Sequence, residues 1–136
     1  MDLVIKSIMK RRKQHGERNK QLSNDLLDGK EYYDWSITTA FYAAIHFVED
    51  KILPCKVNGK NCTNINDVKQ AYKMPGRHAS RERLVIDKLN IGVGVKYKWL
   101  DDKSRYSRYT TYKMTKQDAE KAEQYLNEIY NECYNK

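Results

Sequence analysis

Residues 31–53 read EYYDWSITTAFYAAIHFVEDKIL, and this stretch decides the fold. It contains neither Gly nor Pro, and its apolar side chains recur at steps of three and four residues, at Ile37, Phe41, Ala44, Ile45, Val48 and Ile52. That period is typical of a helix with one apolar face. We therefore predict that this segment is the central core helix and that Pro54 ends it.

A second helical pattern precedes this segment, from about Asp2 to Leu27. Its repeating positions follow the same steps and are Ile5, Met9, Arg12, His15 or Gly16, Asn19, Leu22 and Leu26. We predict one helix whose repeating face points inward, with Gly16 as the point where it is open to interruption. Gly29 is suited to the left-handed cap that ends such a helix.

Two more helices are predicted after the break at Pro75-Gly76. Ser80 can cap the first of them, whose short apolar face comprises Leu84, Val85 and Leu89. Residues 90–94 interrupt the pattern, and the next helix is expected from Lys96 to about Tyr112.

The last helix begins at a capping-box pattern, Thr115 followed by Asp118, and its apolar face comprises Ala119, Ala122, Leu126, Ile129 and Cys133. Residues 55–75 are rich in Asn and Lys and are interpreted mainly as a long polar loop. Residues 1–136 are therefore expected to form a single domain. Its predicted fold class is all-α, an antiparallel up-and-down four-helix bundle with a short additional helix.

Composition limits where the chain works and what it binds. No window approaches the roughly 18 uninterrupted apolar residues of a membrane span, and the N-terminal charges follow the apolar stretch, unlike those of a signal peptide. Three cysteines without a CxxC pair fit a reducing cytosol, so a cytoplasmic protein is expected. The net charge of +8 favours a polyanion or an acidic protein surface, unless it serves solubility alone. No membrane contact is predicted.

Neither a metal nor a cofactor is predicted. Cys55, Cys62 and His78 lack a fourth ligand and the usual spacing of a zinc site. The phosphate-binding glycine loop, the dinucleotide fingerprint and the common hydrolase motifs are also absent from the sequence. No paired-carboxylate motif is recognisable.

Polar residues interrupt the predicted inner faces of the first two helices. His15 and Asn19 continue the face of Leu22, and Tyr42 and His46 share a face of the core helix. Polar groups inside a bundle need partners, because burying them unpaired costs about 1–3 kcal/mol. These residues are either satisfied structural groups or part of a site.

Cations alternate with aromatic residues in two stretches, KYKW at 96–99 and SRYSRYTTYK at 104–113. This composition suits single-stranded RNA, since cations pair with phosphate and rings stack on unpaired bases. Arg105 and Arg108 lie three residues apart, on one side of a helix. The alternative is a solvated face with half-buried tyrosines.

A third basic group lies at the start of the helix after Pro75. Backbone N–H groups at a helix N-terminus attract an anion, and Arg77, His78 and Arg81 would reinforce that attraction.

Together these segments resemble the HEPN superfamily (higher eukaryotes and prokaryotes nucleotide-binding). The resemblance covers about residues 15–130 and is carried by Tyr33-Asp34-Trp35-Ser36-Ile37, Ala40-Phe41-Tyr42-Ala43-Ala44-Ile45-His46, Gly76-Arg77-His78 with Arg81, and Ser104-Arg105 with Arg108-Tyr109. It implies a four-helix bundle that dimerises around a polar cleft. Family members are RNA-cleaving toxins, often encoded beside a nucleotidyltransferase antitoxin, or noncatalytic RNA- or nucleotide-binding relatives.

The sequence departs from the ribonucleases of that family in one respect. Their motif is an Arg followed, after four to six residues, by a His, and none of the three histidines here has such an Arg. Ser23 stands where the His of a motif beginning at Arg18 would be. The catalytic pair of the family is therefore not carried over to this chain.

The leading hypothesis is an RNA- or nucleotide-binding HEPN-like protein, with or without nuclease activity, from a toxin–antitoxin, defence or stress context. The alternatives are a noncatalytic protein-interaction module or antitoxin-partnered subunit, and an enzyme with a noncanonical His/Arg site. His46 and His78 are the candidate catalytic groups, and the RNA or nucleotide contacts are predicted at His15, Asn19, Tyr42, Arg77, Arg81, Arg105, Arg108 and Tyr109. A homodimer is expected, with an apolar N-terminal patch formed by Leu3, Val4, Ile5 and Ile8.

Overall fold

The computed structural model describes residues 3–135, apart from the side chains of residues 5–10. In this part of the chain there are six helices and one two-stranded antiparallel sheet. Their bounds are α1 Leu3–Gly29, α2 Tyr33–Ile52, β1 Cys55–Val57, β2 Lys60–Cys62, α3 Ile65–Tyr72, α4 Arg77–Lys88, α5 Ile91–Tyr109 and α6 Lys116–Tyr134. The predicted helical fold class is confirmed. None of the described helices is both long and apolar enough to cross a membrane.

Helix α2 lies at the centre of the fold and packs against α1, α5 and α6. Its predicted apolar stripe is confirmed, since the buried residues include Ile37, Phe41, Ala44, Val48 and Ile52. Burying a large apolar side chain contributes about 1.5–3 kcal/mol, so this stripe is a main source of stability. The helix ends at Ile52, where Leu53 adopts an extended conformation before Pro54.

The final helix matches its prediction in both start and face. The Thr115 hydroxyl accepts a hydrogen bond from the Asp118 backbone N–H at 3.1 Å, and the Asp118 carboxylate accepts one from the Thr115 N–H at 3.2 Å. This is a complete capping box. All five predicted face residues are buried, namely Ala119, Ala122, Leu126, Ile129 and Cys133.

The predicted inner face of α1 is only partly right. Gly16, the alternative to His15, is buried, as is Ser23, but His15 and Leu22 are exposed. The Ser23 hydroxyl donates to the Ser36 carbonyl at 2.7 Å, and the Ser36 hydroxyl donates to the Ser23 carbonyl at 2.9 Å. Small residues let α1 and α2 approach closely, so the contact face is rotated away from the larger side chains. The helix is continuous through Gly16.

The long polar loop predicted for residues 55–75 is also wrong, because this segment forms a β-hairpin and helix α3. Asn58 and Gly59 both have left-handed φ values, 49° and 78°, as a two-residue hairpin turn requires. Asn64 then caps α3 by accepting from the Asp67 N–H at 2.9 Å. Helix α3 packs on α4 and on the hairpin, and α4 packs chiefly on α5.

Four predicted boundaries differ from the structure. Lys30, with φ 58°, is the left-handed residue after α1, while Gly29 is still helical. Helix α4 begins at Arg77 after Gly76, and Ser80 lies inside it, donating from its hydroxyl to the Gly76 carbonyl at 2.7 Å. Helix α5 begins at Ile91 instead of Lys96 because Asn90 caps it, and it ends at Tyr109 instead of Tyr112.

Candidate functional site

One face of α2 carries the aromatic and imidazole side chains of the candidate site. Trp35, Tyr42 and His46 are separated by seven and four residues, which places them on the same side of the helix. The expectation that Tyr42 and His46 point inward is corrected, because Tyr42 is exposed and His46 is half-buried. They lie on the surface beside α1 and α5, since Ile37, Phe41 and Ala44 occupy the buried side.

The two imidazoles of α1 and α2 meet at one end of this face. The rings of His15 and His46 are 5.2 Å apart between centroids, in an edge-to-face arrangement. They line a cavity of about 410 Å³ together with Arg11 and Arg12. We call these four residues the basic pocket. All four of these described residues are basic, so the field in the pocket favours an anion.

Burial and neighbouring charges both change the pKa of His46. Burial lowers its pKa below the ordinary 6.5, and the proximity of His15, Arg81 and Arg12 lowers it further. At neutral pH the His46 imidazole is therefore mainly uncharged and able to accept a proton. Such a group suits general-base chemistry as well as hydrogen bonding.

Arg81 projects from α4 into the space behind the basic pocket. Its side chain is buried, and its Nε lies 3.5 Å from Glu49 Oε1 without forming a hydrogen bond. The Tyr97 hydroxyl next to it is fully buried and also has no hydrogen-bond partner among the described residues. Burial raises the pKa of Tyr97, so it remains a neutral phenol. Arg81 is thus held mainly by Glu49.

A second cluster joins α4 to α5 around a buried carboxylate. Asp101 is fully buried and accepts two hydrogen bonds from Arg105, at 2.9 and 2.8 Å. His78 Nδ1 lies 4.0 Å from Asp101 Oδ1. Glu82 shares a hydrogen bond with Asp101. We call Asp101, Glu82, His78 and Arg105 the carboxylate cluster. It borders a cavity of about 400 Å³ whose lining also includes Lys98 and Asp102.

The carboxylate cluster has shifted proton affinities. Burial raises the pKa of Glu82 to about 7, and the hydrogen bond and negative charge of Asp101 raise it as well. Burial opposes ionisation of Asp101, but hydrogen bonds from Arg105 and Glu82 hold its pKa below the ordinary value. Burial lowers the pKa of His78, and Arg105, Arg81 and Arg108 add to this against the attraction of Asp101. Near neutral pH Glu82 is therefore partly protonated and can donate its proton in a hydrogen bond to the ionised Asp101.

The Arg108 side chain bridges α5 to the exposed face of α2. Its Nη1 donates to the Tyr42 hydroxyl at 2.9 Å, and its guanidinium lies 5.6 Å from the centre of the Tyr42 ring. A cavity of about 250 Å³ lies beside it. We call this cavity the aromatic pocket, and its lining residues are Asp34, Trp35, Thr38, Ser107, Arg108 and Tyr112.

Most of the sequence-predicted residues are linked by contacts across this surface. The rings of His15 and His46 are in contact, and the charge of Arg81 influences His46. Arg105 and His78 both lie beside the Asp101 carboxylate. Arg108 donates a hydrogen bond to Tyr42. Two of the predicted residues, Asn19 and Arg77, stay outside these clusters, while Tyr109 contacts Arg108, whose guanidinium lies 5.4 Å from the centre of the Tyr109 ring. Among the described residues, the Asn19 side chain donates to the His15 carbonyl at 3.1 Å, Arg77 is exposed without a hydrogen bond or ion pair, and Tyr109 is 81% exposed.

Sequence reasoning missed the acidic members of the site, Glu49, Glu82 and Asp101. A signal for Asp101 was present, since it lies in phase with the buried positions Tyr97 and Ser104 and four residues before Arg105. A carboxylate on a buried face with a cation at the fourth position is typical of an internal ion pair. Within residues 3–135, leaving out the side chains at 5–10, no group of three or more His, Cys, Asp and Glu residues is placed to hold a metal ion.

The chain matches no protein-family model, no curated protein and no solved structure.

Proposed function

We propose that this chain is an RNA- or nucleotide-binding protein of HEPN-like architecture, and that its basic pocket binds phosphate. The observation that carries the proposal is the lining of that pocket, whose described residues are Arg11, Arg12, His15 and His46, none of them a carboxylate. Phosphate contacts to Lys and Arg supply most of the sequence-independent affinity for nucleic acids. The carboxylate cluster and the Arg108–Tyr42 pair lie along the neighbouring helices.

The proposed architecture is a bundle of the four long helices α1, α2, α5 and α6, with the hairpin, α3 and α4 inserted between α2 and α5. The packing of α1, α5 and α6 around α2 supports it.

We further propose a cytoplasmic homodimer, with a nucleotidyltransferase-type antitoxin as its partner in a toxin–antitoxin or defence system. Leu3 and Val4 are exposed, as a dimer patch requires, while the side chains of Ile5 and Ile8 lie outside the described residues. Sedimentation at micromolar concentration tests the dimer, and a monomer alone would contradict it.

The phosphate site is tested with labelled single-stranded RNA over a series of salt concentrations. Arg11→Ala and Arg12→Ala are each expected to weaken binding and to reduce the slope of log affinity against log salt by about 1, as loss of one phosphate contact does. Arg83→Ala is the matched control because it removes the same charge from the Tyr72 side of α4. Absence of RNA binding at low salt would contradict the proposal, as would an equal loss in the Arg83 variant.

A second candidate function, RNA cleavage at the same pocket, is favoured by the His15–His46 pair. In such a reaction His46 would take the proton of a 2′-hydroxyl, whose oxygen attacks the adjacent phosphorus. His15 would return a proton to the departing 5′-oxygen, which leaves a cyclic phosphate and a free 5′-hydroxyl. Incubation of RNA with the protein in a chelator, followed by analysis of the ends, tests this. Intact RNA at all pH values between about 6 and 8 would leave binding as the function.

A further inference from the structure

The aromatic pocket is built differently from the basic pocket. Two of its walls are aromatic, Trp35 from α2 and Tyr112 from the segment after α5, and they are 51% and 70% exposed. Neither side chain belongs to the hydrophobic core or contacts another aromatic ring among the described residues. Large exposed rings facing one cavity have no role in holding the bundle together, so their surface is free for a ligand.

The chemistry of this cavity favours a nucleobase over a phosphate. Asp34 contributes a carboxylate, which repels phosphate but accepts hydrogen bonds from the N–H groups of a base. Thr38 and Ser107 contribute hydroxyls that lie 3.3 Å from each other. A flat ring can stack on Trp35 or Tyr112, and such stacking tolerates any base because each has a π face. The Arg108 guanidinium, held by Tyr42, can pair with the phosphate next to that base.

The distance between the two pockets sets the size of the ligand. Trp35 and His46 lie on the same face of α2, eleven residues apart, which corresponds to about 16 Å at the helical rise of about 1.5 Å per residue. That length equals about five nucleotides at the stacked rise of about 3.4 Å, and fewer in an extended strand. Tyr42 and Arg108 lie between the two ends. A mononucleotide is too short to reach both pockets.

We propose that the ligand is a single-stranded stretch of RNA that runs along α2, with one unpaired base in the aromatic pocket and a phosphate several nucleotides away in the basic pocket. This inference rests on the proposed function, because it assumes the phosphate site at His15 and His46. It adds a base-binding site, a requirement for unpaired bases and a minimum ligand length.

The experiment measures binding of four probes by fluorescence anisotropy, direct or by competition, at low salt: a labelled single-stranded oligoadenylate of about five nucleotides, the same sequence held in the duplex stem of a G·C-clamped hairpin, adenosine monophosphate, and inorganic polyphosphate. Trp35→Leu is expected to weaken oligoadenylate binding about tenfold without changing its salt dependence, since stacking carries no charge. The same variant should bind polyphosphate as the parent protein does. Trp35→Phe should retain most of the affinity because it keeps a stacking surface.

Tyr106→Leu is the matched control, because Tyr106 is 48% exposed on the opposite side of α5 and contacts Lys103. Oligoadenylate binding unchanged in both Trp35→Leu and Tyr112→Leu, with Arg11→Ala still weakening it, would overturn the base site and leave the phosphate site standing. Equal affinity for the duplex, or for adenosine monophosphate, would overturn the single-strand or length requirement. Failure of the parent protein to bind any probe would contradict the proposed function itself.

Discussion

Arg105 and Arg108 lie three residues apart on α5, yet the structure gives them different partners. Arg105 neutralises Asp101, which is fully buried, whereas Arg108 donates to the hydroxyl of the exposed Tyr42. Loss of Arg105 would leave a buried carboxylate without its strongest partner, whereas loss of Arg108 would remove a contact to an exposed phenol.

We therefore expect Arg105→Ala to lower the free energy of unfolding by about 1–3 kcal/mol. Arg108→Ala should change it by about 0.5 kcal/mol or less, as for most partly exposed positions. Urea denaturation measures both. Adding Asp101→Asn to Arg105→Ala should recover part of the loss, since the buried charge is then gone. An Arg105→Ala variant as stable as the parent would show that the ion pair contributes nothing.

Gly16 lets α1 pack closely against Phe47 of α2. A Cβ at this position would lie 2.5 Å from Phe47 Cε1, and Phe47 is fully buried. We expect Gly16→Ala to destabilise the protein by about 1–3 kcal/mol through overpacking, although Ala is the better helix former by about 1 kcal/mol. Gly29→Ala is the control, because nothing lies within 4 Å of a Cβ there. Adding Phe47→Leu should reduce the penalty at position 16, and thermal unfolding of these three variants, of Phe47→Leu alone and of the parent checks this.

The packing of α4 on α5 is expected to depend on pH, because Glu82 on α4 lies beside Asp101 on α5. Because the pKa of Glu82 is raised to about 7 in the folded state from about 4.5, the folded protein holds a proton that the unfolded chain has already lost. The contribution of Glu82 to the free energy of unfolding is therefore fully present below pH 4.5 and is lost as the pH rises towards 7. His78 acts in the opposite direction, since its lowered pKa costs stability below about 6.5.

The variant Glu82→Gln isolates the Glu82 contribution, because the amide can donate to Asp101 at every pH. We expect Glu82→Gln to raise the urea midpoint relative to the parent at pH 8 and to have little effect at pH 5. Glu120→Gln serves as the control on the exposed face of α6, where the partner is Lys116. A difference between Glu82→Gln and the parent that is the same at both pH values would contradict this protonation of Glu82.

The elements that sequence predicted well are those with large apolar residues on one face. Helices α2 and α6 have such faces, and both their bounds and their buried sides were anticipated. The position of α1 in the sequence was predicted correctly, but its buried face is rotated relative to the prediction. Its contact with α2 depends on Gly16 and Ser23, whose small side chains add little to an apolar pattern. The β-hairpin was missed because each strand has three residues, although Asn58-Gly59 is a hairpin turn signal.

For the whole molecule, the candidate site was predictable as a set of residue types but not as an arrangement. Histidines and arginines from α1, α2, α4 and α5 were named from sequence, and the structure links most of them across one surface. The basic pocket also depends on Arg11 and Arg12, which were not among the site residues named from sequence. The carboxylate cluster depends on Asp101 and Glu82, which lie on different helices. Pairing between helices leaves no periodic trace in a single sequence, so the division into two chemically distinct sites required the structure.

The hairpin, α3 and α4 have a further consequence, which concerns how the native protein opens. This inserted segment is attached to the rest mainly through α4 on α5, with the polar contacts at Asp101 and the Arg81–Glu49 pair as its anchors. We expect it to open as one unit below the free energy of global unfolding, so that amides in α3 exchange with deuterium earlier than those in α2 and α6. Hydrogen-exchange mass spectrometry checks this, and Arg81→Ala should accelerate exchange in α3 and α4 while leaving α6 protected. Equal protection of α3 and α2 would mean that the chain opens only as a whole.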